Sequence, residues 1–177
     1  MPARFESLTS ADLEGLELTP MRQADAEEVT AWRYPGIYAF YDFKADPEDE
    51  AELLDSDHRD GTYFSARVPS VGLIGFAELK PTEDNALEIG LGLRPECAGR
   101  GLGTDFVRRI CNWATDRVAP ARLLLRVASF NHRAIRVYER VGFKPAGVET
   151  VNSYGTEVQF LRMQRGPSTT LSETTTT

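Results

Sequence analysis

Apolar and polar positions alternate with a period of two at Leu87, Ile89, Leu91 and Leu93, the spacing of a strand, and Pro95 ends the run. From Leu102 the period changes. Leu102, Phe106, Val107, Ile110, Cys111 and Ala114 recur at intervals of one, three and four, which predicts a helix with one apolar face. Gly99, Gly101 and Gly103 stand between the two patterns, so the unit reads strand, glycine turn, helix. A short apolar strand over 122–127 follows, then a helix starting at Asn131, a good N-cap, and closed by Gly142.

The rest of the chain supplies strands and one more helix. A first strand is expected over 16–22, and a helix whose first turn holds Asp25 and Glu28, with Val29 and Trp32 on its apolar face; Pro35 and Gly36 end it. The cluster Tyr34, Tyr38, Phe40, Tyr41 and Phe43 has a period compatible with either strand or short helix, and reads as core packing or as a pocket wall. Nine acids lie between Asp42 and Asp60, a solvated face or a rim that attracts a cation. Strands over 62–68 and 72–79 form a hairpin turned by Pro69 and Ser70, and 85–94 pairs next. Strands over 143–148 and 153–163 complete a sheet, and the Ser/Thr-rich tail over 166–177 is expected to be disordered.

Glycines let backbone approach a ligand closely, and the first amides of a helix have no partner within it, so the 99–104 turn is a candidate anion cradle. A dinucleotide fold would need GxGxxG and an acidic residue some 20 positions on; a nucleoside triphosphate loop would need lysine before Thr104. Neither pattern is present. A purely structural tight turn remains the plain alternative.

PECAGRGLG followed by FNHRAIRVYERVGF resembles the two acetyl-CoA segments of the GCN5-related N-acetyltransferase (GNAT) superfamily. The motifs cover about half of the chain, and the order of elements extends the likeness to nearly all of it. The resemblance implies a mixed α/β (α+β) domain over residues 1–165, with a central, mostly antiparallel, splayed sheet flanked by helices. It also implies acetyl-CoA as co-substrate and no metal. In that family the strand before the loop frees backbone groups for the pantetheine arm, a role that falls on Leu91, Gly92 and Leu93; the pyrophosphate loop falls on Gly99, Arg100, Gly101, Leu102, Gly103 and Thr104. The family's asparagine and tyrosine, which contact pantetheine and face the sulfur, correspond to Asn131 and Tyr138. One position departs: Ala98 stands where Arg or Gln commonly opens the pyrophosphate motif, which bears on affinity more than on function because the loop binds mainly through backbone amides.

Charge adds a direction. Residues 1–90 carry a net −13 and residues 91–177 a net +6, within a total of −7. The basic half holds the proposed anion site, with Arg100, Arg133 and Arg136, while the acidic half would suit a cationic amine. An acidic chain is not expected to bind nucleic acid. No apolar block marks the amino end, and no run approaches a membrane span, so no membrane partner is expected. Cys97 and Cys111 make no disulfide framework or metal spacing, and the cytoplasm is the expected compartment.

Acetyl transfer to an amine needs a held donor, a neutral nucleophile, a stabilised oxyanion and a proton for the leaving thiolate. Glu88 shares its strand face with Gly90 and Gly92 and is the candidate base, with Glu78 on the preceding strand next. Tyr138 lies two turns, roughly 10 Å, beyond Asn131 on one helix face, and a phenol with ordinary pKa near ~10 can protonate a thiolate. The reading is an N-acetyltransferase working by direct attack in a ternary complex on a primary amine, expected to be a small cationic one. Alternatives are a protein amino terminus or lysine as acceptor, or a non-catalytic CoA-binding module, which Ala98 favours and Asn131 and Tyr138 disfavour. A homodimer is allowed for.

Overall fold

The computed structural model describes residues 3–153 and 156–166. The Ser/Thr-rich tail from residue 167, whose disorder was expected, lies outside the described residues, as do residues 154 and 155 where the last two strands meet.

Seven strands form one sheet in the order β1-β2-β3-β4-β5-β7-β6: β1 Glu17–Pro20, β2 Tyr63–Val68, β3 Gly72–Pro81, β4 Ala86–Leu93, β5 Arg122–Ala128, β6 Lys144–Ser153 and β7 Thr156–Arg165. Every neighbouring pair is antiparallel except β4 with β5. That one parallel step requires a crossover. Helix α5, Gly103–Val118, supplies it. Four α-helices precede it among the described residues, α1 Ala3–Glu6, α2 Gln23–Thr30, α3 Pro47–Leu54 and α4 Ser56–Arg59, and α6 His132–Arg140 follows β5.

Two apolar clusters lie on opposite faces of the sheet. On one face α5 buries Phe106, Val107, Ile110, Cys111 and Ala114 against Leu87, Ile89, Leu123 and Leu125. Each fully buried side chain of this size contributes about 1.5–3 kcal/mol. On the other face Ala26 and Val29 of α2 and Leu53 of α3 pack with Trp32, Tyr63 and Leu73. The parts of the acidic stretch that form helix have visible local causes: Asp46 accepts from the backbone N–H groups of Glu48 and Asp49, with Pro47 at the first helical position of α3.

Several elements differ from expectation. The helix expected to start at Asp25 begins two residues earlier, at Gln23, and Asp25 in its first turn is 2% exposed and accepts from the Ser65 hydroxyl and from Arg67 on β2. The first strand is shorter, ending at Pro20, and the expected gap between the last two strands is filled, because β6 continues to Ser153. β6 is an edge strand with Val148 exposed, so alternation of apolar residues says little about its extent. Of the two alternatives for the aromatic cluster, strand and short helix, the structure has the short helix. It forms a 3-10 segment, Gly36–Tyr41, followed by a second over Phe43–Ala45. Among the described residues no helix is long and apolar enough to cross a membrane.

Candidate active site

The parallel ladder between β4 and β5 pairs Ala86 with Arg122, Leu87 with Leu123 and Glu88 with Leu124, and then stops, although β4 runs on to Leu93 and β5 to Ala128. β4 stays paired with β3 as far as Gly75 and Leu93, and the Arg94 N–H donates to the Ile74 carbonyl at 2.8 Å. A strand's period of two therefore aims the polar backbone groups of Ile89, Leu91 and Leu93 into the gap. Such groups need partners. Two are met by phenols: the Tyr34 hydroxyl donates to the Leu93 carbonyl at 2.9 Å, and the Ala128 N–H donates to the Tyr41 oxygen at 3.2 Å. A continued parallel ladder would have paired a carbonyl of one arm with an N–H of the other, and the two tyrosines supply that polarity.

At the far end of β4 the glycine turn opens. Gly99 and Gly101 have φ of +74° and +80°, a region that disfavours other residues. A Cβ on Gly101 would meet nothing within 4 Å, so the hollow there is empty of protein. Leu102 caps α5 without a side-chain bond, which leaves the first helical amides directed at that hollow. Gly103 has a different use: a Cβ there would lie 3.3 Å from Val137, so it lets α5 and α6 approach closely. Thr104 lines the hollow with the glycines. Two residues expected at the cradle turn their side chains elsewhere. The Arg100 guanidinium donates to the carbonyls of Phe5 and Glu6 at the end of α1, and Leu102 is buried in the core, so each offers the turn only its backbone. Arg133 takes the place at the rim. A Cβ on Gly99 would be 3.2 Å from its Nη1, and its guanidinium stacks 4.4 Å from the centre of the Tyr38 ring.

Gly90 and Gly92 leave room that β3 occupies. In register, Glu78 opposes Gly90 and Phe76 opposes Gly92. A Cβ on Gly90 would be 2.7 Å from the Glu78 Oε2, and one on Gly92 2.3 Å from the Phe76 ring. The face that the two glycines leave is floored by a carboxylate and an aromatic ring. The Glu78 Oε1 is ion-paired with the Lys80 Nζ at 2.7 Å. Around this pair burial raises the Tyr63 phenol, with the Glu78 charge adding to it. Asp49 is also raised, first by burial and then by Asp46, Glu52 and Glu78. Burial pulls Lys80 down, but its bond to Glu78 and the charges of Glu78, Glu52 and Glu88 outweigh that, so it stays a cation. Glu88 faces the cleft as expected, yet one of its oxygens accepts from the Arg126 Nε at 3.0 Å, and Arg126 reaches on to Glu149.

The structure brings Asn131 and Tyr138 to one wall. The Asn131 Oδ1 caps α6 by accepting from the Ala134 N–H at 3.1 Å, and its Nδ2 donates to the Tyr41 oxygen at 3.3 Å. Tyr138 packs edge-on to Phe143 with its ring centre 6.0 Å away. Burial, reinforced by Tyr41 and Cys111, pushes the Tyr138 phenol well above its ordinary value, so it carries its proton throughout the neutral range.

These groups line a single cleft of about 870 Å³. Its lining carries Asp42, Asp46, Asp49, Glu78 and Glu88 with Lys80 from the first half of the chain, and Arg126, Arg133, Arg136 and Arg140 from the second. A family model described as an acetyltransferase (GNAT) domain matches residues 15–144. The chain belongs to the GNAT acetyltransferase family. Among GNAT and related proteins it is similar to streptothricin acetyltransferase of Streptomyces lavendulae, 32% identical over 118 residues that make up 63% of this chain and 58% of that protein. A probable N-acetyltransferase, camello, of Xenopus laevis is 31% identical over 74 residues, 42% of this chain and 33% of that protein. The chain thus matches well under two thirds of the length of these relatives. Of solved structures, spermidine N-acetyltransferase from Vibrio cholerae in complex with CoA and spermine aligns over 85% of this chain and 95% of that one, with TM-score 0.69 and 23% identity. A GNAT acetyltransferase from Bacillus anthracis covers 85% and 94%, with TM-score 0.68 and 14% identity. At such identities the structural likeness speaks for the GNAT fold alone.

Sequence reasoning missed the hydroxyls of Tyr34 and Tyr41 and the floor made by Phe76 and Glu78. A signal for the first existed: tyrosines mixed with phenylalanines in an apolar cluster must place their hydroxyls on polar partners.

Proposed function

We propose that the protein is an acetyl-CoA-dependent N-acetyltransferase acting on a small cationic amine through a ternary complex. The observation that carries this reading is one continuous cleft lined both by the glycine turn with Arg133 beside it and by a group of carboxylates, Asp42, Asp46, Asp49 and Glu78. The residues fit a CoA thioester: an empty hollow at Gly101, uncapped amides at the start of α5, and the backbone N–H groups of Leu91 and Leu93, which the stopped ladder leaves facing the gap. Bound there, the thioester would supply an activated acetyl group. Gly99 to Thr104 would hold its phosphates, with Arg133 and Arg136 adding charge, and the N–H of Leu91 or Leu93 would polarise the acyl oxygen.

On the acceptor side Glu78 and Asp49 attract an ammonium group, and a carboxylate takes its proton. Glu78 is assigned that task ahead of Glu88. Its Oε2 lies against Gly90, next to the Leu91 backbone, and its side chain is 16% exposed against 33% for Glu88, which Arg126 holds at the rim. Tyr138 donates the proton that the departing thiolate needs. The names of the Vibrio spermidine enzyme and of streptothricin acetyltransferase support a small basic acceptor.

Steady-state turnover of acetyl-CoA with a panel of diamines, polyamines and amino-terminal peptides tests the reading. Acetylation of the small amines with poor use of peptides is expected. Preference for peptides would transfer the acceptor to protein amines, and CoA binding without turnover of any amine would leave a binding module.

A further inference from the structure

The Tyr41 oxygen accepts two hydrogen bonds, from the Ala128 N–H at 3.2 Å and from the Asn131 Nδ2 at 3.3 Å. A phenol oxygen has room for two acceptor bonds, so its own hydrogen must point away from both donors. Among the described residues no acceptor for that hydrogen is present, and Tyr41 lines the cleft beside Asn131 and Tyr138. Its ring is fixed independently of the hydroxyl, edge-on to Phe40 with ring centres 5.2 Å apart and tilted against Phe130 at 6.3 Å. The oxygen therefore clamps the last residue of β5 to the first turn of α6. With Oδ1 committed to the Ala134 N–H and one Nδ2 hydrogen committed to Tyr41, the Asn131 carboxamide has a single orientation. One N–H of Asn131 and the O–H of Tyr41 are left over, side by side at the wall of the gap between β4 and β5.

The geometry points to Tyr41 as a positioning residue for the acyl donor: it orients Asn131 so that the two remaining donors hold an amide carbonyl of the pantetheine arm. This rests on the acetyl-CoA reading above. The phenol is suited to it, because burial keeps it protonated although its bonds from Asn131 and Ala128 act the other way. A phenylalanine at the same place would keep the ring contacts and lose the clamp.

The test is calorimetric binding of CoA to the full chain, with thermal denaturation of each variant as a check on folding. Tyr41→Phe should weaken CoA binding by about tenfold, the scale of one or two lost neutral hydrogen bonds. Asn131→Ser keeps an oxygen to cap α6 and removes the carboxamide, and should weaken it similarly. Because Tyr41→Phe removes the O–H donor and at the same time releases the Asn131 carboxamide, the double variant should bind CoA no more weakly than the worse single. Losses that add, or a folded Tyr41→Phe protein with unchanged CoA affinity, overturn the assignment. Turnover gives a second readout that general loosening would not move: relative to wild type, Tyr41→Phe should raise KM for acetyl-CoA while leaving kcat/KM for S-acetyl mercaptoethanol, a thioester without amides, nearly unchanged. An equal loss with both donors refutes the positioning role. Absence of CoA binding by the wild-type protein would remove the acetyltransferase reading itself, and this inference with it.

Discussion

Tyr138 bears the greatest share of the proposed chemistry at the residue scale. Removing only its hydroxyl in Tyr138→Phe retains the contact with Phe143. The turnover number should then fall by about 10² to 10⁴, the range of general acid catalysis, while CoA affinity measured by calorimetry stays close to wild type. The same residue has a signature in stability. Burial raises its folded pKa above the unfolded value near ~10, so its neutral form is favoured by folding. That contribution is complete below pH ~10 and is lost as pH climbs through the folded value; urea midpoints across that range should drop less steeply in Tyr138→Phe than in wild type. Asn131 and Tyr138 were legible in the sequence because their spacing and motif place both on one helix face. The hydroxyl partners of Tyr34 and Tyr41 were not, since apolar periodicity registers a ring and is blind to where its oxygen lands. Arg100 illustrates the opposite failure: it was read as part of the cradle, and its side chain bonds to Phe5 and Glu6 instead of facing the hollow.

At the scale of elements, the strand, glycine turn and helix from β4 to α5 could be read directly, because a change of period from two to 3.6 across glycines has few other meanings. The acidic stretch could be read only in part. None of its nine acids is buried, as a solvated face requires, but the packing of α3 and α4 against the sheet did not show, and the device that holds them is a cation. Arg59, 4% exposed at the end of α4, donates to the carbonyls of Met21 and Leu53 and to the Gln23 side chain, tying α4 to the entrance of α2 and the end of α3. Arg59→Ala would orphan those acceptors and leave a void. We expect a loss of about 2–4 kcal/mol in equilibrium denaturation, with acceptor KM rising because α3 carries Asp49 into the cleft. An unchanged midpoint would mean that the helices are held by Leu53 and Leu54 packing alone.

Taken as a whole molecule, the chain lines one groove from both its acidic and its basic half, an asymmetry visible in the running charge before any fold is known. What no charge count discloses is that the sheet is two plates, β1 to β4 and β5 with β7 and β6, joined through only three residue pairs. Past Glu88 and Leu124 the inner edges diverge, and the amides of Leu91 and Leu93 are held by neither plate. Those two hydrogens are therefore exchangeable clocks. In deuterated solvent they should trade with water far faster than the amides of Gly90 and Gly92, which lie on the edge paired with β3, so that a strand buried in mid-sheet shows fast and slow positions in strict alternation. A ligand threaded between the plates becomes the missing strand. Saturating CoA should then slow Leu91 and Leu93 selectively, reporting occupancy of the groove with no acceptor present and no acetyl group moved.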